Sequence, residues 1–414
     1  MARRVDVYLH RNLVGHLIQD EHDQMAFEYI ESWLNHPASI ALSHSLPLRK
    51  ERYARSECQG YFAGILPEDA KRRAVAKNLG ISAGNDFAML EQIGGECAGA
   101  VTFIPEGENL SERDDQYRSL TNQELASLLR TLPRRPLLAG DANIRLSLAG
   151  AQDKIAVYIS DGRIAIPLGG APSTHILKPA IELFTGVVFN EAFCMRLSRA
   201  VGMPTAKVQI GAVDGVDYLL VERYDRVLTR SSPAGAPHLE RLHQEDFCQA
   251  LGIVSERKYQ NEGGPTINQC FELVREISSV PVIDLQSLID GVIFNFLIGN
   301  NDAHGKNFSL LYRGETRLAP FYDLLSTAYY PELAEKMAMK LGGEYASGRV
   351  FPRQFERLAE EAGLGKPMVK RRVRELAETL LSRIPEARLD HPVAVDVANL
   401  VQKRCERTLS RWNA

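Results

Sequence analysis

The sequence predicts an α+β fold in two lobes, a mixed strand-and-helix amino-terminal lobe with an extra subdomain before it and a mainly helical carboxy-terminal lobe. Three observations predict it. At 414 residues the chain is too long for one ordinary core. Apolar residues make up 45% of it, enough for two or three cores. Short alternating runs interleaved with helical spacing continue to residue 224, and from about residue 240 the apolar residues recur every three to four positions. The expected divisions are 1–105, 106–224 and 225–414.

Residues 5–10 and 13–18 alternate as two strands around a turn at Arg11 and Asn12. A third strand is expected over 39–43, helices over 67–79 and 86–94, and a strand over 98–104. The polar stretch 105–118 is a plausible linker. A helix follows over 121–132, where Glu124 stands three residues after Thr121 as in a capping box. Strands at 155–159 and 163–167 flank the turn Asp161-Gly162. A strand over 174–179 carries Lys178, a helix over 190–201 ends at Gly202, and a strand covers 217–222. The stripe Leu285, Leu288, Ile289, Val292 and Phe296 marks a packed helix over 282–298.

Composition excludes several classes. A net charge of -3 and a pI near 6.4 carry no global basic signature, so contact with nucleic acid would need a local patch. Six dispersed cysteines show neither C-x-x-C pairs nor accompanying histidine spacing, so neither zinc nor a disulfide framework is expected, which suits a reducing cytoplasm. No h-region follows Arg3 and Arg4, and no segment is expected to reach the roughly 18 apolar residues that span a bilayer. A soluble cytoplasmic protein without a membrane partner is the expectation.

The chemistry centres on Asp302, on Asn307 five residues later, and on Asp323. This is the spacing of kinase-type phosphoryl transfer, in which one acid orients the acceptor hydroxyl and two oxygen-bearing side chains hold magnesium. Asp302 is the candidate catalytic residue; Asn307 and Asp323 are the candidate metal ligands. Asn, Asp and Gly also make ordinary polar turns. Here, however, apolar runs at 292–298 and 308–311 clamp the cluster on both sides, as a rigid catalytic loop requires. His304 between the acids could instead build a hydrolase metal centre, but no second His or Glu stands at helical spacing. Facing the nucleotide phosphates or bracing the loop suits it better.

Upstream, Lys178 on its strand is the candidate phosphate contact, with Glu191 as a candidate ion-pair partner; a lysine snorkelling from a strand edge is the plainer alternative. Ala149, Gly150, Ala151, Gln152, Asp153 and Lys154 form a small-residue loop whose amides could approach phosphates, although it is neither G-x-G-x-x-G nor Walker A. Glu222 and Tyr224 would offer backbone groups to an adenine edge. Lys366, Lys370, Arg371, Arg372 and Arg374 lie on one expected helix. Such a run is usually a solvated face, with DNA contact as the functional alternative.

Taken in order, these pieces resemble the HipA family of bacterial serine/threonine-protein kinase toxins. The resemblance rests on Ser147 to Lys154, on Thr174 to Pro179, on Asn190-Glu191 and on Val221-Glu222-Arg223-Tyr224-Asp225-Arg226. It continues through His243 to Phe247, Gly299 to Ser309 and Tyr322 to Ser326, and Gly94 to Val101 resembles the family's amino-terminal subdomain. It implies a two-lobed protein-kinase-like fold, ATP and magnesium as cofactors, and Asp302 as the catalytic residue, with Lys178, Asn307 and Asp323 around nucleotide and metal. It implies that Ser147 is autophosphorylated and that this switches the kinase off. It further implies a HipB-type helix-turn-helix antitoxin, operator DNA reached through that complex, and glutamyl-tRNA synthetase as protein substrate. Tyr322-Asp323-Leu324 stands where ordinary protein kinases have Asp-Phe-Gly, and His304 where they have lysine, so phosphate neutralisation falls to Lys306 or Lys154. Two other classes remain open: a DNA-bound corepressor with a vestigial kinase site, and a small-molecule phosphotransferase of aminoglycoside-kinase type.

Overall fold

The computed structural model describes residues 2–108, 110, 115–229 and 238–413. They form two compact units, one built from residues 1–179, 211–256 and 311–313, the other from 180–210, 257–310 and 314–414. These units do not follow the divisions expected at 105 and 224. A single apolar cluster runs from Val5 and Phe27 through Phe62 and Phe103 to Ile155 and Leu220. The opening subdomain and the strands after it therefore share one core, and the chain first leaves that core at Pro179.

In the first unit, β1 (Arg3–Leu9) and β2 (Asn12–Gln19) make the expected hairpin. With β3 (Met25–Tyr29) and β4 (Val101–Pro105) they form a sheet ordered β3-β2-β1-β4. After the single turn α1 (Glu31–Leu34), the strand expected over 39–43 does not form. That segment turns instead, because Leu42 and Leu46 both reach the core and the Ser43 hydroxyl is drawn to Glu245. Helix α2 (Arg55–Gly64) was hidden by its glycines, which lower helix propensity. A Cβ at Gly60 would strike the backbone of Gly252 and one at Gly64 the side chain of Gln249, so both glycines serve close packing.

Helices α3 (Asp69–Leu79) and α4 (Asp86–Ile93) lie where their spacing puts them. Part of the expected linker over 105–118 is strand β5 (Gln116–Ser119), while 109 and 111–114 lie outside the described residues. Helix α5 (Asn122–Thr131) carries the capping box: Thr121 Oγ1 accepts from the Glu124 N–H at 3.2 Å, and Glu124 Oε2 from the Thr121 N–H at 2.8 Å. Strands β6 (Ile155–Ser160), β7 (Arg163–Leu168), β8 (His175–Pro179), β9 (Val208–Val213) and β10 (Val216–Glu222) join β5 in a sheet ordered β5-β7-β6-β8-β10-β9. Lys178 on β8 stands opposite Leu219 on β10. Strands β11 (Arg226–Thr229) and β12 (His238–Arg241) pair antiparallel, and β13 (His243–Asp246) runs into the short helix α7 (Phe247–Ala250).

The second unit opens with α6 (Val187–Ala200), which starts three residues before the expected 190 because Gly186, at φ 69°, begins it. Helices α8 (Ile267–Ile277), α9 (Pro281–Ile298), α10 (Pro352–Glu361), α11 (Lys366–Ala387) and α12 (Pro392–Asn413) make it mainly helical, as expected. Short strands β14 (Ser309–Tyr312), β15 (Thr316–Leu318), β16 (Lys336–Leu341) and β17 (Glu344–Ala346) interrupt the helices. Helix α9 corrects one expectation. Its 18 residues have a mean hydropathy of 1.5, long and apolar enough by composition to cross a membrane, yet 61% of it is buried in the fold. Its buried Asp284 accepts from Ser278 Oγ at 2.6 Å and from Arg317 Nη2 at 3.0 Å, the pattern of a core helix.

Candidate active site

Helix α9 delivers the chain to the site. It ends at Gly299, whose φ of 77° is the left-handed stop that only glycine adopts without strain. From α12, Arg404 donates to the carbonyls of Phe296 at 2.6 Å and Leu297 at 3.2 Å in the last turn of the helix, where the Phe296 carbonyl also accepts from the Gly299 N–H at 3.2 Å. The loop beyond is pinned residue by residue. The Gly299 carbonyl accepts from the Ala328 N–H at 2.9 Å. Thr327 Oγ1 accepts from the Asn301 N–H at 2.7 Å, the Asn301 carbonyl accepts from the Ala338 N–H on β16 at 2.7 Å, and Asn300 Oδ1 accepts from the Asp302 N–H at 3.2 Å.

Asp302 is exposed at the tip of this loop, whereas His304, Lys306 and Asn307 are buried just behind it. Asn307 closes a short turn: its Oδ1 accepts from the His304 N–H at 3.0 Å, and its N–H donates to the His304 carbonyl, also at 3.0 Å. Its Nδ2 then donates to Asp323 Oδ2 at 3.1 Å, which brings the two candidate metal ligands together. Asp323 has a φ of 57°, a strained conformation for a residue other than glycine and one that Asp and Asn tolerate best. Its neighbours hold it there. The Tyr322 hydroxyl lies 2.6 Å from Ser309 Oγ and donates to the Lys306 carbonyl at 2.7 Å; on the other side the buried Asn190 of α6 donates to the Ser326 carbonyl at 3.0 Å and accepts from its N–H at 2.8 Å.

Magnesium suits this donor set. One carboxylate and one amide oxygen with a second lone pair are hard ligands, and they leave room for water and phosphate oxygens. Among the described residues no group of three or more His, Cys, Asp or Glu side chains could hold a metal.

Several other predicted residues fall in the first unit. Ser147 is fully buried, its Oγ donating to the Ile65 carbonyl at 3.0 Å and its N–H to the Glu96 carbonyl at 2.9 Å. In the small-residue loop Gly150 has a φ of 105°, Lys154 Nζ donates to the Ala149 carbonyl at 2.6 Å, and Asp153 pairs with Lys71 at 2.7 Å. Lys178 is buried on β8; Glu222 ends β10, and the Tyr224 hydroxyl donates to Gln244 Oε1. Glu191 is buried on α6 in the second unit. On α11, Lys370 pairs with Glu356 at 3.0 Å, Arg371 with Glu375 at 3.4 Å, and Arg372 with Asp290 at 2.8 Å.

The structure also explains motif residues whose work the sequence concealed. Glu96 Oε1 accepts from Arg223 at 3.0 Å and Arg226 at 2.9 Å, and its Oε2 pairs with Arg241 at 2.7 Å. Asp225 Oδ2 accepts from Arg223 and from the Gly99 N–H, each at 2.7 Å. Burial alone would raise the pKa of Glu96, but Arg226, Arg241 and Arg223 outweigh it and hold the carboxyl below its usual range. These charges join the turn after α4 to the end of β10. They are structural, although the sequence showed them only as members of the motifs that carry the resemblance. Tyr259, whose hydroxyl donates to Asp302 Oδ1 at 2.8 Å, left no signal.

Comparison with known proteins shows the family. Residues 5–104 match the HipA N-terminal domain and residues 146–386 the HipA-like C-terminal domain. A putative kinase of Sinorhizobium fredii, Y4mE, is 45% identical over 383 residues, covering 91% of this chain and 90% of its own. The serine/threonine-protein kinase toxin HipA of Shewanella oneidensis is 30% identical over 426 residues, covering 98% and 96%. The Shewanella oneidensis HipA, HipB and operator DNA complex superposes with a TM-score of 0.86 at 28% identity, covering 99% of this chain and 98% of that one. The chain belongs to the HipA family and is an enzyme, a kinase.

Proposed function

We propose that the protein is an ATP-dependent serine/threonine-protein kinase, the toxin of a cytoplasmic toxin-antitoxin pair. The observation that carries this is the loop 299–307 with Asp323. Asn307 and Asp323 meet at 3.1 Å on a segment that also presents Asp302 to solvent. Magnesium held by Asn307 and Asp323 would neutralise charge on the transferring phosphoryl group. Asp302 orients the acceptor serine hydroxyl and takes its proton. The sequence-based nucleotide roles of residues 149–154, Lys178, Glu222, Tyr224, His304 and Lys306 belong to the same proposal, as does the pairing of Glu191 with Lys178.

Ser147 is the proposed autophosphorylation site. A group carrying nearly two negative charges cannot occupy a fully buried hydroxyl position, so its burial supports a phosphorylated state in which the loop has left its place. A HipB-type antitoxin, operator DNA and glutamyl-tRNA synthetase remain the proposed partners and substrate. Purified chain given magnesium and ATP should gain one phosphate at Ser147, and an Asp302→Gln chain none. Phosphate transferred only to a small amine or sugar would favour the small-molecule phosphotransferase. No transfer from either chain would leave the corepressor reading.

A further inference from the structure

Tyr259 lies on the turn 257–264, outside every motif that suggested the kinase reading. Its hydroxyl donates to Asp302 Oδ1 at 2.8 Å, and its ring meets that of His304 edge-on, with centroids 5.5 Å apart at 74°. Two roles suit a tyrosine hydroxyl on that carboxylate. It can brace the acid, or it can plug the place where an acceptor hydroxyl stands and swing away when substrate arrives.

The construction of the turn favours the brace. The Tyr259 carbonyl accepts from the N–H groups of Glu262 and Gly264, each at 2.9 Å, so the turn closes on itself directly after the tyrosine. Gly263 takes a φ of 96°, and a Cβ at Gly264 would come within 2.4 Å of the Arg257 carbonyl oxygen. Chain that tight fixes the Tyr259 backbone, so a swing would have to turn the side chain alone away from the His304 ring it meets. Its far side is anchored too, because Gln260 Oε1 accepts from the Lys340 N–H of β16 at 2.7 Å. Two residues earlier on that strand, Ala338 donates to the Asn301 carbonyl. One strand therefore holds both the residue after Tyr259 and the residue before Asp302.

We propose that Tyr259 is a positioning residue for Asp302, its hydroxyl holding the orientation of a carboxylate that stands at an exposed loop tip. The inference rests on the kinase reading of Asp302 and deepens it. An orienting group of this kind acts on the transfer step and leaves nucleotide binding alone, since a small misalignment of reacting groups costs rate more than affinity.

The test uses the full chain with magnesium and ATP, measuring phosphate incorporation against ATP concentration together with a thermal melt. In Tyr259→Phe the maximal rate should fall by roughly ten- to hundredfold, while the half-saturating ATP concentration and the melting midpoint stay unchanged. Placed in an Asp302→Asn chain, the same change should alter the residual rate by less than about twofold, because two groups that act as a unit lose their effect only once. A faster Tyr259→Phe chain would identify a plug. An unchanged rate would remove the positioning role, and a rate loss that follows a lowered midpoint would reduce Tyr259 to a packing residue; each of these overturns the inference while the kinase reading stands. Wild-type chain that transfers no phosphate overturns both.

Discussion

Glu245 is buried with three donors around its carboxyl. Oε2 accepts from Ser43 Oγ at 2.5 Å, and Oε1 accepts from the Tyr312 hydroxyl at 2.5 Å and the His44 N–H at 2.9 Å. Burial pushes it up to about 7, against the opposing pull of those donors. The folded chain therefore keeps a proton that the unfolded chain has already lost, and stability falls as the pH climbs from the ordinary carboxylate range to about 7. Glu245→Gln keeps the shape and removes the titration. Its melting midpoint relative to wild type should rise between pH 5 and pH 8, by a difference on the order of 2 kcal/mol in stability. Neighbouring His243, pushed down to about 4 by burial, titrates alike in both chains and cancels from the comparison. A constant difference across that range would mean that Glu245 does not titrate there. Little of this was legible in the sequence: His243 to Phe247 stood out as a motif, but an acid's response to pH depends on burial and on Ser43 and Tyr312, both far from it along the chain.

Among the elements, α9 was legible and its anchorage was not. An apolar stripe running directly into a polar cluster marks a core helix feeding a rigid loop, and the structure has both. Arg404, by contrast, sits in a helix rich in basic residues that reads as surface, yet its guanidinium caps the carbonyl end of α9 and lies 5.5 Å from the Phe296 ring. Burial, and then Arg407, lower its pKa to about 10, which still leaves it charged at neutral pH. A cation at a helix carboxy-terminus is favourable, and removing it takes a donor from each of two buried carbonyls, of which Phe296 keeps the Gly299 N–H at 3.2 Å. Arg404→Met, which preserves the packing of the stem, should cost about 1–3 kcal/mol of stability. Below the melting range it should also slow phosphate incorporation about tenfold with little change in half-saturating ATP, because the loop that loses its anchor carries Asp302. Arg404→Lys should recover part of the rate; if it recovers none while restoring the midpoint, the link between helix end and loop is absent. Asn190 shows the same limit of the sequence, because the pair Asn190-Glu191 stands out there as part of the family resemblance but not as the clamp on Ser326 that Asn190 is.

At the scale of the whole molecule, the two units were not legible as divisions because the first is assembled from three separate stretches of chain, and periodicity reports faces, not which faces share a core. The same distinction bears on DNA. Five basic residues on one helix suggest a phosphate-binding stripe, but charge in sequence is not charge in space. Lys366 pairs with Glu360, Lys370 with Glu356, Arg371 with Glu375, and Arg372 with both Asp290 and Glu375, so neighbouring carboxylates offset most of the stripe. Exposed pairs of this kind contribute little to stability, and they weaken the outward field that would attract a polyanion. The expected outcome is therefore that operator DNA is met through the antitoxin. Replacing Lys370, Arg371 and Arg374 together by Gln should leave the slope of log affinity against log salt unchanged in the complex of chain, antitoxin and operator. A side chain that binds a DNA phosphate directly would, once replaced, reduce that slope by about one, so a drop of two or three would return α11 to the DNA interface.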